Sequence, residues 1–221
     1  MATENLKAEL MPDGSRLAEW IPTLTEVELL ALKIYLRELG RFNKNLNLIS
    51  SSTVPKADAV HVADAVLAWR IISPLIPKGS TVSDFGSGNG IPGIICAALA
   101  PDLKFRVIDR DVRKLEFLKH AGASMGLRNI AFVTRDIADL EDESVHFAVS
   151  RGFAPIGKSL LLSRKSMAPG GRFFMMKGEG WAREVADVPS QLFSVWNTQM
   201  VGQYSIPESN TEFVVIEATK K

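Results

Sequence analysis

Hydrophobic and polar positions follow two different patterns in the two parts of the chain. From residue 80 onward, short apolar runs at 81–84, 103–109, 130–134, 145–150 and 172–177 alternate with longer segments of helical spacing at 92–100, 111–125 and 156–167. A helical stretch near 181–187 and two β-like runs, about 193–204 and 212–218, follow. Strands alternating with helices predict a parallel sheet wrapped by helices on both faces. In 111–125, Leu115, Leu118 and Ala121 share one face, and Gly126 is placed to end the helix. The turn Pro169-Gly170-Gly171 should precede the fifth strand.

Before residue 80 the pattern is helical. Thr25-Glu26-Val27-Glu28 is a capping-box sequence that opens a Leu-rich helix, expected to run to about Leu39. The asparagines Asn43, Asn45 and Asn47 favour caps over helix interiors and should stop it. A second helix is expected from near Pro55 to about Ile72, and residues 1–22 read as a polar lead-in, loose or partly helical. The expected organisation is a helical extension over 1–78 and an α/β unit over 79–221, forming one compact body.

The densest chemical signal lies where the first strand meets its helix. Asp84-Phe85-Gly86-Ser87-Gly88-Asn89-Gly90-Ile91-Pro92-Gly93 carries four glycines. Glycines admit φ > 0 and let a ligand press against bare backbone, while Pro92 suits the first turn of a helix. Two ligand classes fit this strand–turn–helix unit. Residues 88–93 spell the dinucleotide fingerprint G-x-G-x-x-G, with Asp109 about twenty positions on to hold ribose hydroxyls. Residues 84–90 also spell D-x-G-x-G-x-G, the motif of S-adenosylmethionine (AdoMet) methyltransferases. In such sheets ligands sit outside the carboxyl ends of the strands, where Asp84 to Gly90, Asp109, Asp136 and Ser150-Arg151 all fall. Asp136 and Ile137 could flank an adenine. A dehydrogenase would need a further large domain, and only about 40 residues follow Lys177, which favours a methyltransferase.

Bulk properties narrow the remaining choices. A net charge of +1 argues against nucleic-acid binding through global charge, but not through a local patch. Lys33, Arg37, Arg41 and Lys44 stack on one helical face, either as a solvated surface or as an RNA contact. His61 and Asp64 lie at i, i+3 without a third group for a triad, and no metal-ligand spacing is present. The single cysteine, Cys96, reads as core. No run is long and apolar enough for a membrane span and residues 1–20 lack a signal peptide's apolar region, so the cytoplasm is the expected compartment.

Five segments carry a family resemblance. They are Asn43-Lys44-x-x-Asn47-Leu48, His61-x-x-Asp64, the Gly-rich stretch from Asp84 to Gly93, Ser150-Arg151-x-Phe153-Ala154-Pro155, and Pro169-Gly170-Gly171 ahead of Lys177-Gly178. Together they resemble the RsmG (GidB) family of 16S rRNA guanine-N7 methyltransferases over roughly residues 27–180. Ile49, Ala65, Gly152 and Ile137 depart from the family pattern. The resemblance implies a Rossmann-like class I AdoMet-dependent methyltransferase sheet with helices on both faces and an N-terminal helical extension. It implies AdoMet contacts at Gly86, Ile91, Asp136, Ile137 and Arg151, which join Asp84, Gly88 and Gly90 of the glycine motif and Asp109 at the ribose as the expected cofactor-binding residues. The implied substrate is a guanosine in the decoding-region loop of 16S rRNA within the small ribosomal subunit, approached by a monomer. Candidate RNA contacts are Lys33, Arg37, Arg41, Asn43, Lys44, Asn47, His61, Arg110, Arg113, Lys114, Phe153 and Lys177. Guanine N7 holds a free lone pair and no proton, so no general base is expected; Arg151 is the candidate positioning residue, and Phe153 is either a stacking partner or core. The alternatives are an AdoMet methyltransferase for a small molecule or protein, and a nucleotide-binding module that is not an enzyme.

Overall fold

Phe173 and Met175 pack to one side of the fifth strand, Phe174 and Met176 to the other, and all four are buried. A strand buried on both faces reads as a continuous apolar run, and the sheet around it is covered on both faces. The computed structural model describes residues 10–221, so the part of the lead-in over 1–9 lies outside the described residues. Seven strands form the sheet: β1 (Thr81–Phe85), β2 (Lys104–Asp109), β3 (Ile130–Thr134), β4 (Val145–Arg151), β5 (Met167–Lys177), β6 (Trp196–Ser205) and β7 (Glu212–Lys220). Their order is β3-β2-β1-β4-β5-β7-β6.

The first five strands pair in parallel, as the alternation predicts. The expectation of an all-parallel sheet is corrected at the edge, where β7 runs antiparallel to both β5 and β6. Apolar runs mark where strands are, not which way they point. The Pro169-Gly170-Gly171 turn also falls inside β5 instead of before it. The ladder steps from Val145↔Met167 to Phe147↔Arg172, so this segment bulges out against a single residue of β4.

The helices are α1 (Leu17–Trp20), α2 (Glu26–Leu46), α3 (Asp64–Ile72), α4 (Gly93–Leu99), α5 (Val112–Ser124), α6 (Ile156–Ser163) and α7 (Trp181–Ala186). The capping box at Thr25 and Glu28 forms. α2 does not stop near Leu39 but runs through the asparagines to Leu46. It ends because Asn47 adopts the left-handed conformation, φ 48°, while Asn43 Oδ1 accepts the Ile49 N–H at 2.9 Å. The single helix expected from Pro55 is three successive winds: a 3₁₀ segment Ser51–Lys56, a π-turn Asp58–Ala63, and α3.

The N-terminal helices are built into the same core as the sheet. Leu32, Leu36 and Leu39 of α2 are fully buried in one cluster with Ile94, Leu115 and Leu118. Each such leucine stabilises by about 1.5–3 kcal/mol. The buried Tyr35 hydroxyl donates to the Asn89 carbonyl at 2.9 Å, so α2 grips the Gly-rich loop directly. Cys96 is buried, as expected. Among the described residues no helix is long and apolar enough to cross a membrane, and no cluster of three His, Cys, Asp or Glu could hold a metal.

Candidate active site

A cavity of about 620 Å³ opens at the carboxyl ends of β1, β2, β3 and β4. Its wall includes Gly86, Gly88, Ile91, Asp109, Asp136, Ile137 and Arg151, brought together from four loops. Asp109 ends β2 and faces the Gly-rich loop. Its Oδ2 accepts the Gly88 N–H at 2.7 Å and its Oδ1 the Asp111 N–H at 2.9 Å. A carboxylate oxygen has a second lone pair, so both remain able to accept a ribose hydroxyl. Asp136 caps the turn Ile137–Asp139 by accepting the Ala138 N–H at 3.1 Å. That turn buries Ile137 as an apolar wall.

The glycines divide by task. Gly88 has φ +54°, and a Cβ there would meet nothing nearer than the Gly86 carbonyl at 3.7 Å: it would project into free space where a ligand can approach the backbone. Gly86 has φ +67°, and its Cβ would lie 2.6 Å from Cδ2 of the Phe153 ring, which therefore abuts the loop closely. Two expected cofactor contacts do not line the cavity. A Cβ at Gly90 would strike Leu118 at 2.5 Å and Ile94 at 2.9 Å, so this glycine serves helix packing. Asp84 lies beneath the loop, its Oδ2 accepting the Gly93 N–H at 3.1 Å. Burial pushes its carboxyl up to about 7, and Oδ1 has no partner among the described residues. A glycine cradle open to the cavity, a ribose-competent carboxylate and an apolar slot fit AdoMet.

Arg151, at the end of β4, is fixed from the N-terminal helices. Its Nη1 donates to the Val60 carbonyl and to Asp64 Oδ2, each at 3.0 Å, and its Nη2 lies 2.8 Å from His61 Nδ1. A guanidinium cannot accept, so His61 Nδ1 is the acceptor and Nε2 bears the proton, which points to Thr53 Oγ1 at 3.2 Å. Burial, reinforced by the Arg151 charge, pulls His61 down to about 3 and keeps it neutral. Asp64 Oδ1 also accepts the Tyr204 hydroxyl at 2.6 Å. Burial raises the Asp64 pKa, while Arg151 and Tyr204 favour its charged form. The His-x-x-Asp segment is therefore an anchor for Arg151, with the half-buried His61 engaged by Arg151 and Thr53.

Other expected RNA contacts are also engaged internally. Lys177 Nζ donates to the Ala154 carbonyl at 2.8 Å and Glu184 at 2.7 Å; its side chain is 10% exposed, so it braces the 151–155 loop. Arg37 and Arg41 both pair with the buried Glu38, which His120 also meets at 3.0 Å. Arg113 pairs with Asp111. Asn43 shapes the end of α2. Lys33, Lys44 and Asn47 line a separate groove along α2. Arg110, Lys114 and Phe153 do reach the cavity. Missed from the sequence were Leu48, Arg135 and Lys158 on its wall, and Tyr204 behind Arg151. Leu48 and Arg135 stood inside or beside segments already singled out, whereas nothing local marks Lys158 or Tyr204.

The profile of the family described as GidB, rRNA small subunit methyltransferase G, matches residues 28–212. A "Ribosomal RNA small subunit methyltransferase G 3" of Bdellovibrio bacteriovorus is 40% identical over 205 residues, covering 93% of each chain. A "Ribosomal RNA small subunit methyltransferase G" of Paracoccus denitrificans is 32% identical over 72% of this chain and 81% of its own. Among solved structures, the tRNA (m1A58) methyltransferase TrmI of Aquifex aeolicus superposes with TM-score 0.54 at 13% identity, covering 72% of this chain and 68% of that one. That likeness carries the fold alone, a class I methyltransferase sheet. The family match, its extent and the nucleotide cavity agree: this chain belongs to the AdoMet-dependent rRNA small subunit methyltransferase G family.

Proposed function

We propose that this chain methylates N7 of a guanosine in the decoding-region loop of 16S rRNA, acting as a monomer on the small ribosomal subunit in the cytoplasm. The observation that carries the reading is the cavity, in a chain of this family, where Gly88, Asp109 and Ile137 surround one space and Arg151 is clamped at its edge. Bound AdoMet supplies a methyl group activated by a sulfonium.

The residues then have position and electrostatics as their work. Guanine N7 attacks through its own lone pair, so no side chain needs to remove a proton. Among the described residues the cavity wall contains no histidine, cysteine or tyrosine, which is compatible with that chemistry. Asp109 and the Gly88 backbone fix the ribose end, and Ile137 walls the adenine. Arg151, held by three partners, is the rigid group between cofactor and base. Alignment of reacting atoms at near-attack distance is the main source of rate in such a site. A single-stranded loop can present an unstacked base to it.

The test is transfer of labelled methyl from AdoMet to small subunits that lack the modification. Label in 16S rRNA supports the reading. Label that enters only protein or small molecules, with rRNA unlabelled, supports the rival methyltransferase readings instead.

A further inference from the structure

The wall of the cofactor cavity carries five cations, Arg110, Lys114, Arg135, Arg151 and Lys158, against two carboxylates, Asp109 and Asp136. The whole chain has a net charge of only +1, so positive charge is concentrated at this opening. Arg151 is occupied by Asp64, and Arg110 lies 3.9 Å from Asp136. The other three are different. Among the described residues Lys114, Arg135 and Lys158 make no side-chain hydrogen bond and no salt bridge, although neighbouring Arg113 and Lys119 do. Arg135 and Lys158 are exposed, and Lys114 is half-buried. They come from the first turn of α5, the residue after β3 and the first turn of α6, so the crossover topology gathers them where no helical periodicity could.

The stripe on α2 contrasts with them. Arg37 and Arg41 neutralise the buried Glu38, and Lys33 lies near enough to Asp13 to help lower its pKa. Its two arginines are thus committed to one buried carboxylate, whereas Lys33 and Lys44 make no side-chain hydrogen bond or salt bridge among the described residues but face a groove separate from the cofactor cavity.

We propose that Lys114, Arg135 and Lys158 form the clamp for the RNA phosphates that flank the target nucleotide, and that the α2 stripe is not the principal RNA contact. The inference rests on the methyltransferase reading above. A base inserted into the cavity leaves its neighbouring phosphates at the rim, where unpartnered cations around a cleft focus the field. Each neutralised phosphate releases counterions, which a salt titration counts at about 0.7 per charge for single strands.

The experiment measures binding to unmodified 16S rRNA, transcribed in vitro, across a range of salt. Lys114→Gln/Arg135→Gln/Lys158→Gln should flatten the slope of log K against log salt by roughly 2. The charge-keeping swap Lys114→Arg/Arg135→Lys/Lys158→Arg should keep the wild-type slope. Lys33→Gln/Arg37→Gln/Arg41→Gln should flatten it by less than the first variant. A wild-type slope in the first variant, or a larger loss in the stripe variant, overturns the clamp. So does a loss of AdoMet affinity by calorimetry with the RNA slope intact, because that assigns the cations to the cofactor. A wild-type enzyme that binds RNA through these cations but transfers no methyl group to small subunits refutes the function reading and leaves the clamp standing.

Discussion

Arg151 Nη1 and Asp64 Oδ2 are 3.0 Å apart, joining the end of β4 to the first turn of α3 across 87 residues of sequence. This pair ties the N-terminal helices to the edge of the cofactor cavity. Asp64 in turn is gripped by Tyr204 of β6, so three distant segments converge behind one guanidinium at the cavity edge. Burial disfavours the charge on Asp64, and the pair persists because both Asp64 oxygens and both terminal nitrogens of Arg151 are partnered.

Asp64→Asn should therefore cost stability as well as activity. The substitution keeps an oxygen for Tyr204 but leaves Arg151, whose side chain is 20% exposed, facing an amide. Removing one partner of a buried pair costs about 3 kcal/mol at the lower end of the usual range. Guanidinium unfolding checks it. Stability within about 0.5 kcal/mol of wild type would mean the ion pair contributes nothing.

His61 gives the acid limb a definite sign. Its folded pKa is lowered to about 3 from an ordinary 6.5. Between these values the unfolded chain binds more protons than the folded one, so stability rises with pH and is lost as acid is added. Above 6.5 the contribution is complete. His61→Gln keeps both an acceptor and a donor but does not titrate. Between pH 6 and 4 the wild type should lose roughly 1 kcal/mol per unit more than the variant, slightly below the full linkage slope because His61 is partly exposed. Parallel stability curves would contradict the neutral, buried imidazole.

Two glycines separated by one residue should fail differently. Gly88→Val places a branched side chain into the open cradle and should abolish AdoMet binding. Gly90→Ala drives a Cβ into Leu118 and Ile94, and overpacking costs about 1–3 kcal/mol. Calorimetry and thermal unfolding on both variants separate the effects. Equal loss of affinity and stability in both would erase the division of labour.

Asp109→Ala should weaken AdoMet at least tenfold in a folded protein. The change removes the acceptor of the Gly88 N–H as well as the ribose acceptor. Hydrogen bonds to a charged group contribute about 1.5–3 kcal/mol each, so one lost bond already accounts for tenfold. Unchanged affinity would remove Asp109 from the site.

Much of this was legible because local patterns and topology point the same way. β3 spans 130–134 as its apolar run predicts, and the glycine cluster, Asp109 and Asp136 fall at strand ends because every strand–helix crossover returns there. What stayed hidden depends on contacts distant in sequence. Nothing around Tyr204 announces Asp64, 140 residues away, and nothing around Tyr35 announces the Asn89 carbonyl. The asparagines near 43–47 misled because each favours a cap, while the position of the stop was decided by Asn47 and Asn43 together. In the basic stripe, the spacing announces the shared face of Arg37 and Arg41, but nothing local announces that both would pair with a buried Glu38.

The most direct measurement concerns the methylated atom. Methylation at N7 gives guanine a fixed positive charge, and borohydride followed by aniline then breaks the RNA at that nucleotide. Small subunits lacking the modification are incubated with the enzyme and AdoMet, and their 16S rRNA is extracted, treated and mapped. The account predicts one new break, at a guanosine of the decoding-region loop, that depends on both enzyme and AdoMet. RRNA that gains a methyl label yet remains unbroken would place the methyl on another atom and contradict the N7 mechanism.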